Sequence, residues 1–350
     1  MMNKLIIKVI GALVLILFLI YLFYSPRLKF DVLENPNNNS KQTTSNKDYK
    51  QQKGDTENKT PESGVGTWIG KNINNLTDKY GQADRVYPYQ NGFKTYVFKD
   101  KDQYYLVSAK KNVIKSVYAT GTKSDVSPLK ISDNASSVFE DLTINPEPTI
   151  STQNKTYDLE LSDEDMKTQT LVKFDHMYAQ VYTDQQTNKI VGVRYLDSEA
   201  LTTFKPYQTV ENEEANDKKE KEPKRPYEQN ANQLMTLYEI TNEMRKLKGA
   251  KPLNVKNELS HIASYNLYEA TDSESVEFTE EALKQQLDAR QIPFNSASQN
   301  VGYEFNDVPT LIHSWLNSDI HRSRMLNTKY NTMGGEVMDD YYTLIFVEDK

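Results

Sequence analysis

The chain has 350 residues, enough for about two domains, and its 42 Lys and Arg against 49 Asp and Glu give a formal net charge of −7. The basic residues Lys4, Lys8, Arg27 and Lys29 all precede the first acid, so the rest of the chain is strongly acidic, which argues against nucleic-acid binding. The absence of cysteine excludes disulfides, Cys-ligated zinc, iron–sulfur clusters and thiol nucleophiles.

The N-terminus contains an apolar run, Leu5–Tyr24, with a single charge at Lys8. As a helix this run spans about 30 Å, the thickness of a bilayer core. A cleaved signal peptide has a shorter apolar region followed by a small-x-small site, whereas this run ends in Tyr-Ser-Pro-Arg. We predict an uncleaved signal-anchor within residues 1–29. Basic residues flank both ends of the span, but a short tail before a large acidic part favours an extracytoplasmic C-terminal part.

Two polar segments divide the remaining chain. Residues 35–65 are rich in Asn, Gln, Lys, Ser and Thr, a composition that buries too little apolar surface to offset the entropy of ordering, so we predict a disordered spacer over 30–65. Residues 211–229 mix both charge signs with two prolines and indicate an inter-domain linker. The predicted domains are therefore 66–210 and 230–350.

The first predicted domain shows alternating aromatic and β-branched residues, which indicate short strands. Helices are predicted at Ile69–Tyr80, ended by Gly81, and at Ala135–Leu142. The predicted strands are Phe93–Phe98, Tyr104–Ser108, Val113–Tyr118, Tyr157–Leu161, Thr170–Phe174, Tyr178–Tyr182 and Ile190–Tyr195. The stretches YYLVSAKKNVIKSVYATG and MYAQVYTDQQTNKIVGVRYLD resemble one hairpin used twice, so we predict an internal duplication of a helix-plus-β-meander unit.

The second predicted domain places helices before a closing hairpin, which is typical of the α+β class. Thr279 and Asp307 are the expected N-caps of the third and fourth helices. The predicted helices are Asn230–Lys248, Asn257–Ala270, Thr279–Arg290 and Asp307–Asn317, and the predicted strands are Thr332–Met338 and Tyr342–Val347.

Several short motifs in residues 230–350 resemble the CAP superfamily of SCP-like domains. The opening ITNEMRKLKGAKPL, the segment SQNVGYEF, the segment HSWLNSDIHRSRML and the closing MGGEVMDDYYTLIFVE each match a family segment. The resemblance implies an α-β-α sandwich for this domain. Residues 66–210, with their IGK start and duplicated hairpins, resemble the CAP-associated N-terminal domain of Gram-positive proteins.

The resemblance also points to a candidate site. It implies a shallow cavity with two histidines and acidic residues, which binds a divalent metal in some members. His321 falls on the second histidine, Gln299 falls on the glutamate position, and Thr271–Thr279, where the first histidine should lie, contains none. Because a zinc site needs at least three good ligands, we predict no cofactor, although His321 could still meet Glu274 or Glu277. The matched positions that form the candidate binding set are Gln299, Asn300, Trp315, Ser318, His321 and Arg322.

The remaining histidines favour structural roles. His313 is expected to be a half-exposed helix residue, His261 a surface residue and His176 a loop residue between strands. His321 is expected to be hydrogen-bonded beside Gln299 and Asn300 rather than catalytic, because neutral Gln299 cannot act as a general acid or base. Trp315 is expected to be core.

These features predict a membrane-anchored extracytoplasmic protein with a non-catalytic binding or adaptor role at the cell envelope. The partner is an envelope protein or a cell-wall polymer, and the acidic charge favours a protein because it repels anionic polymers. Two alternatives stay open besides a purely structural spacer. One is a cell-wall or peptide hydrolase that uses His321 with nearby carboxylates, and the other is a carrier of small ligands or lipids.

Overall fold

The protein is described from a computed structural model. The described residues are 32–38, 58–152, 155–210, 225–273 and 278–350. Within them no helix is both long and apolar enough to cross a bilayer, and the predicted anchor Leu5–Tyr24 lies outside them.

The described ranges contain 15 strands and nine α-helices. The strands are β1 (Val32–Glu34), β2 (Arg85–Pro88), β3 (Phe93–Asp100), β4 (Gln103–Lys110), β5 (Val113–Thr120), β6 (Thr149–Ser151), β7 (Thr156–Glu160), β8 (Gln169–Phe174), β9 (Met177–Asp184), β10 (Lys189–Leu196), β11 (Gln208–Val210), β12 (Asn254–Val255), β13 (Phe294–Tyr303), β14 (Thr332–Met338) and β15 (Tyr341–Asp349). The helices are α1 (Asn74–Tyr80), α2 (Ser136–Asp141), α3 (Asp163–Thr168), α4 (Ser198–Phe204), α5 (Tyr227–Leu247), α6 (Asn257–Ser273), α7 (Glu280–Ala289), α8 (Val308–Asn317) and α9 (Asp319–Met325).

The N-terminal domain is built on an antiparallel sheet with the strand order β2-β3-β4-β5-β10-β9-β8. Two meanders, β3-β4-β5 and β8-β9-β10, meet at the centre, where Val193 pairs with Ala119 and Tyr195 with Val117. A short helix, α1 or α2, precedes each meander, with β2 between α1 and β3 and with β6, β7 and α3 between α2 and β8. The predicted strand at Tyr157–Leu161 forms as β7 but belongs to a separate three-stranded sheet, β11-β7-β6.

The C-terminal domain has a five-stranded sheet with the order β1-β13-β15-β14-β12. Helices α6 and α7 cover one face, where Leu259 and Leu283 pack with Ala297 and Ile345. Helices α5, α8 and α9 cover the other face, where Leu344 belongs to a larger cluster. This arrangement is the α-β-α sandwich that the CAP resemblance implies.

The two domains share that larger cluster. Tyr118 and Tyr182 from the seven-stranded sheet pack in one continuous core with Leu237 of α5 and Leu311 of α8. The opposite face of the sheet has its own core, covered by α1 and α2. We call the contact between the seven-stranded sheet and helices α5, α8 and α9 the seam.

The predicted boundaries of the spacer, the linker and the first helix differ from the structure. Within the predicted spacer 30–65, residues 32–38 contain β1 and residues 58–65 pack on the N-terminal domain, so the prediction of disorder is wrong for them. Helix α5 begins at Tyr227, inside the predicted linker, and the first side chains that it buries are polar, Gln229 and Gln233. The helix predicted from Ile69 starts at Asn74, after a one-turn helix at Val65–Trp68.

Candidate functional site

The motif segment folds as two consecutive helices with a break at Ser318. Asp307 accepts a hydrogen bond from the backbone N–H of Thr310 at 2.9 Å and so caps α8, as predicted. Helix α8 ends at Asn317, and Ser318 has extended backbone angles before α9 begins. Because of this break, His313 and His321 do not lie on one straight helix.

His321 is buried in the C-terminal domain at 5% exposure, and we call it, together with the adjacent Asn300, Trp315 and Ser318, the His321 pocket. Its Nδ1 is 2.8 Å from the hydroxyl of Ser318. Its ring is parallel to that of Trp315, with centroids 6.3 Å apart, and Trp315 is fully buried as core. The Ser318 contact holds the imidazole in one orientation.

Gln299 and Asn300 are both buried and lie on opposite faces of β13, because successive strand residues alternate. The Asn300 side chain donates to the carbonyl of His321 at 2.9 Å. The Gln299 side chain donates to the carbonyl of Thr279 at 3.4 Å. The structure therefore places Asn300 beside His321, as expected. The same expectation for Gln299 is wrong, because its side chain lies on the other face of β13 and bonds to the start of α7.

Arg322 belongs to the seam rather than to the His321 pocket. Its two terminal nitrogens lie 2.8 and 2.9 Å from the carboxylate oxygens of Asp184 in the N-terminal domain. Lys248, the residue after α5, forms an ion pair with the same carboxylate. Burial opposes the charge of Asp184, but the hydrogen bonds from Arg322 and Lys248 outweigh it and lower its pKa to about 2.

His313 is buried in the seam at 2% exposure, so the prediction of a half-exposed residue is wrong. Its Nε2 is 2.9 Å from the Tyr118 hydroxyl, and its ring stacks on Tyr182 with centroids 4.0 Å apart. A Cβ at Gly192 would lie 3.1 Å from this Nε2, so glycine leaves room for the imidazole. Burial, followed by the charge of Arg194, lowers the pKa of His313 to about 3.

A buried ion pair crosses the seam next to His313. Arg194 on β10 contacts Asp307 at 2.9 Å and donates to the side-chain oxygen of Gln180 at 2.9 Å. Burial opposes the charge of Arg194, but Asp307 and Tyr182 outweigh it and raise its pKa. Asp307 therefore both caps α8 and neutralises a charge from the other domain.

A third polar contact joins α5 to the seven-stranded sheet. Glu239 accepts hydrogen bonds from Arg85 at 2.7 Å, from Lys99 at 2.9 Å and from the hydroxyl of Tyr104 at 2.9 Å. The seam is thus held by carboxylates that each face cations or hydroxyls from the other side. A small cavity between these contacts, lined by Tyr118, has room for about one water molecule.

The described residues contain no group of three or more His, Asp or Glu side chains placed to hold a metal ion. Glu274 and Glu277, the two carboxylates left open as partners of His321, lie outside the described residues. His261 and His176 are exposed, as predicted. The polar residues that the N-terminal domain contributes to the seam, Asp184 and Arg194, were missed because they belong to no motif, and the unusual glycine at 192 within an apolar strand was a local signal for them.

Comparison with known proteins agrees with both halves of this description. The CAP-associated N-terminal model matches residues 69–207, and that of the cysteine-rich secretory protein family matches residues 238–348. A crystal structure of a cysteine-rich secretory protein from Staphylococcus aureus is 57% identical, covers 93% of this chain and 100% of that chain, and superposes with a TM-score of 0.82.

Two further relatives come from Bacillus. The uncharacterized membrane protein YlbC of Bacillus subtilis is 27% identical over 295 residues, which is 82% of this chain and 84% of YlbC. An extracellular protein with an SCP domain from Bacillus anthracis is 25% identical, covers 86% of this chain and 99% of that chain, and has a TM-score of 0.75. The chain therefore belongs to the cysteine-rich secretory protein, or CAP, family, and carries a CAP-associated N-terminal domain ahead of its CAP domain.

Proposed function

We propose that this protein is a membrane-anchored, extracytoplasmic adaptor that binds an envelope partner through the outer surface of two fused domains. The observation that carries this proposal is the contact of Arg322 with Asp184. A residue of the best-matched motif is used to join the CAP domain to its neighbour. The motif helix α9 therefore serves the assembly of the two domains.

The chemistry of the His321 pocket supports a binding role over catalysis. Neutral Gln299 stands where the family has a glutamate, and an amide does not exchange protons near neutral pH. The imidazole of His321 is nearly buried and directed at Ser318. A substrate would reach it only after these contacts opened.

The relatives support the location. YlbC is named as a membrane protein, and the Bacillus anthracis relative is named as extracellular. The apolar run Leu5–Tyr24 supplies the single-pass anchor in this proposal, with both domains outside the cytoplasm. An envelope protein is the favoured partner, since the acidic chain repels anionic wall polymers.

The test uses the full chain in detergent with intact cell-wall sacculi, with zinc and with a chelator. Protein bound to the pellet and fragments released to the supernatant are both measured, for the wild type, for His321→Ala and for the matched exposed variant His261→Ala. We expect no release from any of them, and crosslinking in living cells should then capture an envelope protein.

Fragment release that is lost in His321→Ala and kept in His261→Ala would overturn the proposal and make the protein a wall hydrolase. Binding to sacculi without release would identify a wall polymer as the partner. Lipid that consistently co-purifies with the protein in the absence of added lipid would instead favour a carrier.

A further inference from the structure

The segment that follows the predicted anchor is a structural part of the C-terminal domain. Strand β1 pairs in parallel with β13, with Val32 opposite Val301 and Glu34 opposite Tyr303. The backbone N–H of Asn35 donates to the carbonyl of Tyr303 at 3.0 Å, which extends the pairing by one residue. The CAP sheet is therefore completed by residues from the membrane end of the chain.

The same segment also reaches the N-terminal domain. The buried Asn35 side chain donates to the carbonyl of Glu304 at 3.1 Å. The Asn37 side chain donates to the carbonyl of Pro206 at 2.7 Å and to Asp165 at 3.2 Å. Residues 32–38, which we call the clamp, therefore hold both domains at once.

The position of the clamp limits the distance to the membrane. If Leu5–Tyr24 spans the bilayer, as the proposed function requires, residues 25–31 connect it to the clamp and reach at most about 30 Å when fully extended. A spacer that ran to residue 65 would reach about 140 Å. The surface around β1 must then face the membrane at close range.

That surface carries exposed tyrosines on α6. Tyr265 and Tyr268 are 52% and 59% exposed and lie on one side of the helix. Leu267, next to Tyr268, packs in the same small cluster as Val32 of β1 and Val301 of β13. Tyrosine is enriched at membrane–water interfaces because its ring is apolar and its hydroxyl is polar.

We propose that the clamp holds the CAP domain against the membrane that carries the anchor, with Tyr265 and Tyr268 facing the lipid headgroups. The rest of the molecule then extends outward from this face. Lys101, in the turn between β3 and β4, serves as the distant comparison site, because it lies at the far end of β3 from the hydrogen bond of Tyr89 to Asn306 near the clamp.

The experiment uses the full chain in phosphatidylcholine vesicles that contain a headgroup-labelled acceptor lipid. The chain has no cysteine, so Tyr268→Cys and Lys101→Cys each take one donor dye. Energy transfer to the lipid is measured for both, and again after insertion of about 20 Gly and Ser residues, which add about 25 Å on average, either before Val32 or between residues 48 and 49.

We expect strong transfer from position 268 and weak transfer from position 101. The insertion before Val32 should remove most of the transfer from position 268, and the insertion between 48 and 49 should leave it unchanged. Equal transfer from both positions, or an equal loss for both insertions, would overturn the clamp. Protein that does not float with the vesicles would refute the membrane anchor of the proposed function, and the clamp with it.

Discussion

The two histidines of the segment HSWLNSDIHRSRML have hydrogen-bond partners in different domains. His321 is hydrogen-bonded to Ser318 three residues away, within the CAP domain. His313 is hydrogen-bonded to Tyr118, which lies 195 residues away in the CAP-associated domain. The family resemblance could predict the surroundings of His321, because they are built from motif residues. It could not predict the surroundings of His313, which exist only where the two domains meet.

The two regions also differ in charge. Next to His321, the buried side chain of Asn300 is a neutral amide. The seam instead contains the buried pair Arg194–Asp307 and the carboxylate of Asp184 between two cations. We therefore expect the free energy of unfolding and its dependence on pH to be controlled by the seam more than by the His321 pocket.

The largest effect is expected from the buried ion pair. Asp307→Ala removes a helix cap and leaves Arg194 charged and unpaired, so the free energy of unfolding should fall by about 3–5 kcal/mol in urea titrations. The double variant Arg194→Met with Asp307→Leu should recover much of that loss, because neither charge then remains. A loss of less than about 1 kcal/mol for Asp307→Ala would mean that other contacts stabilise the seam.

The next effect concerns the pH dependence from His313. Its ring takes up a proton near pH 6.5 when unfolded but only at about pH 3 when folded, because it is buried and faces Arg194 and Lys248, with Asp184 opposing them. The neutral ring makes its full contribution to the free energy of unfolding above pH 6.5. Below that pH the contribution falls by about 1.4 kcal/mol per pH unit until the pH approaches 3.

The free energy of unfolding, measured from about pH 6 to about pH 4, should depend less steeply on pH in His313→Gln than in the wild type, by about 1.4 kcal/mol per pH unit. The exposed His261→Gln serves as the control and should keep the slope of the wild type. Identical slopes in all three proteins would mean that His313 is protonated in the fold.

A smaller effect is expected where the motif meets the seam. Arg322→Ala removes two hydrogen bonds to the Asp184 carboxylate, and the free energy of unfolding should fall by about 2 kcal/mol. Arg290→Ala, on the exposed end of α7, should change it by less than about 0.5 kcal/mol. Equal losses of unfolding free energy for the two variants would mean that the contact of Arg322 with Asp184 does not stabilise the seam.

The smallest of the four effects is expected in the His321 pocket. Asn300→Ala removes one hydrogen bond to the carbonyl of His321, and thermal unfolding should show a loss of about 1 kcal/mol. The exposed Asn295→Ala on the same strand should be nearly neutral. A loss for Asn300→Ala that exceeds that of Asp307→Ala would reverse the ranking of the two regions.

Local patterns were sufficient for most elements. Alternation located the strands of both meanders, and Thr279 and Asp307 cap α7 and α8 as predicted. Strand β13 was missed because Ser298, Gln299 and Asn300 are polar residues in a buried strand. Their burial depends on helices α7 and α9, which come from other parts of the chain.

The amino-acid order was therefore enough for six of the nine helices in the described residues, for the repeated hairpins and for the motif that assigns the family, because these depend on neighbours within a few residues. It could not place His313, Arg194 or Arg322, since burial and pairing of a polar side chain depend on distant partners. The same holds for the clamp. Residues 32–38 look like spacer by composition, and they become a strand only because β13 offers an unpaired edge and two asparagines find carbonyl groups to bind.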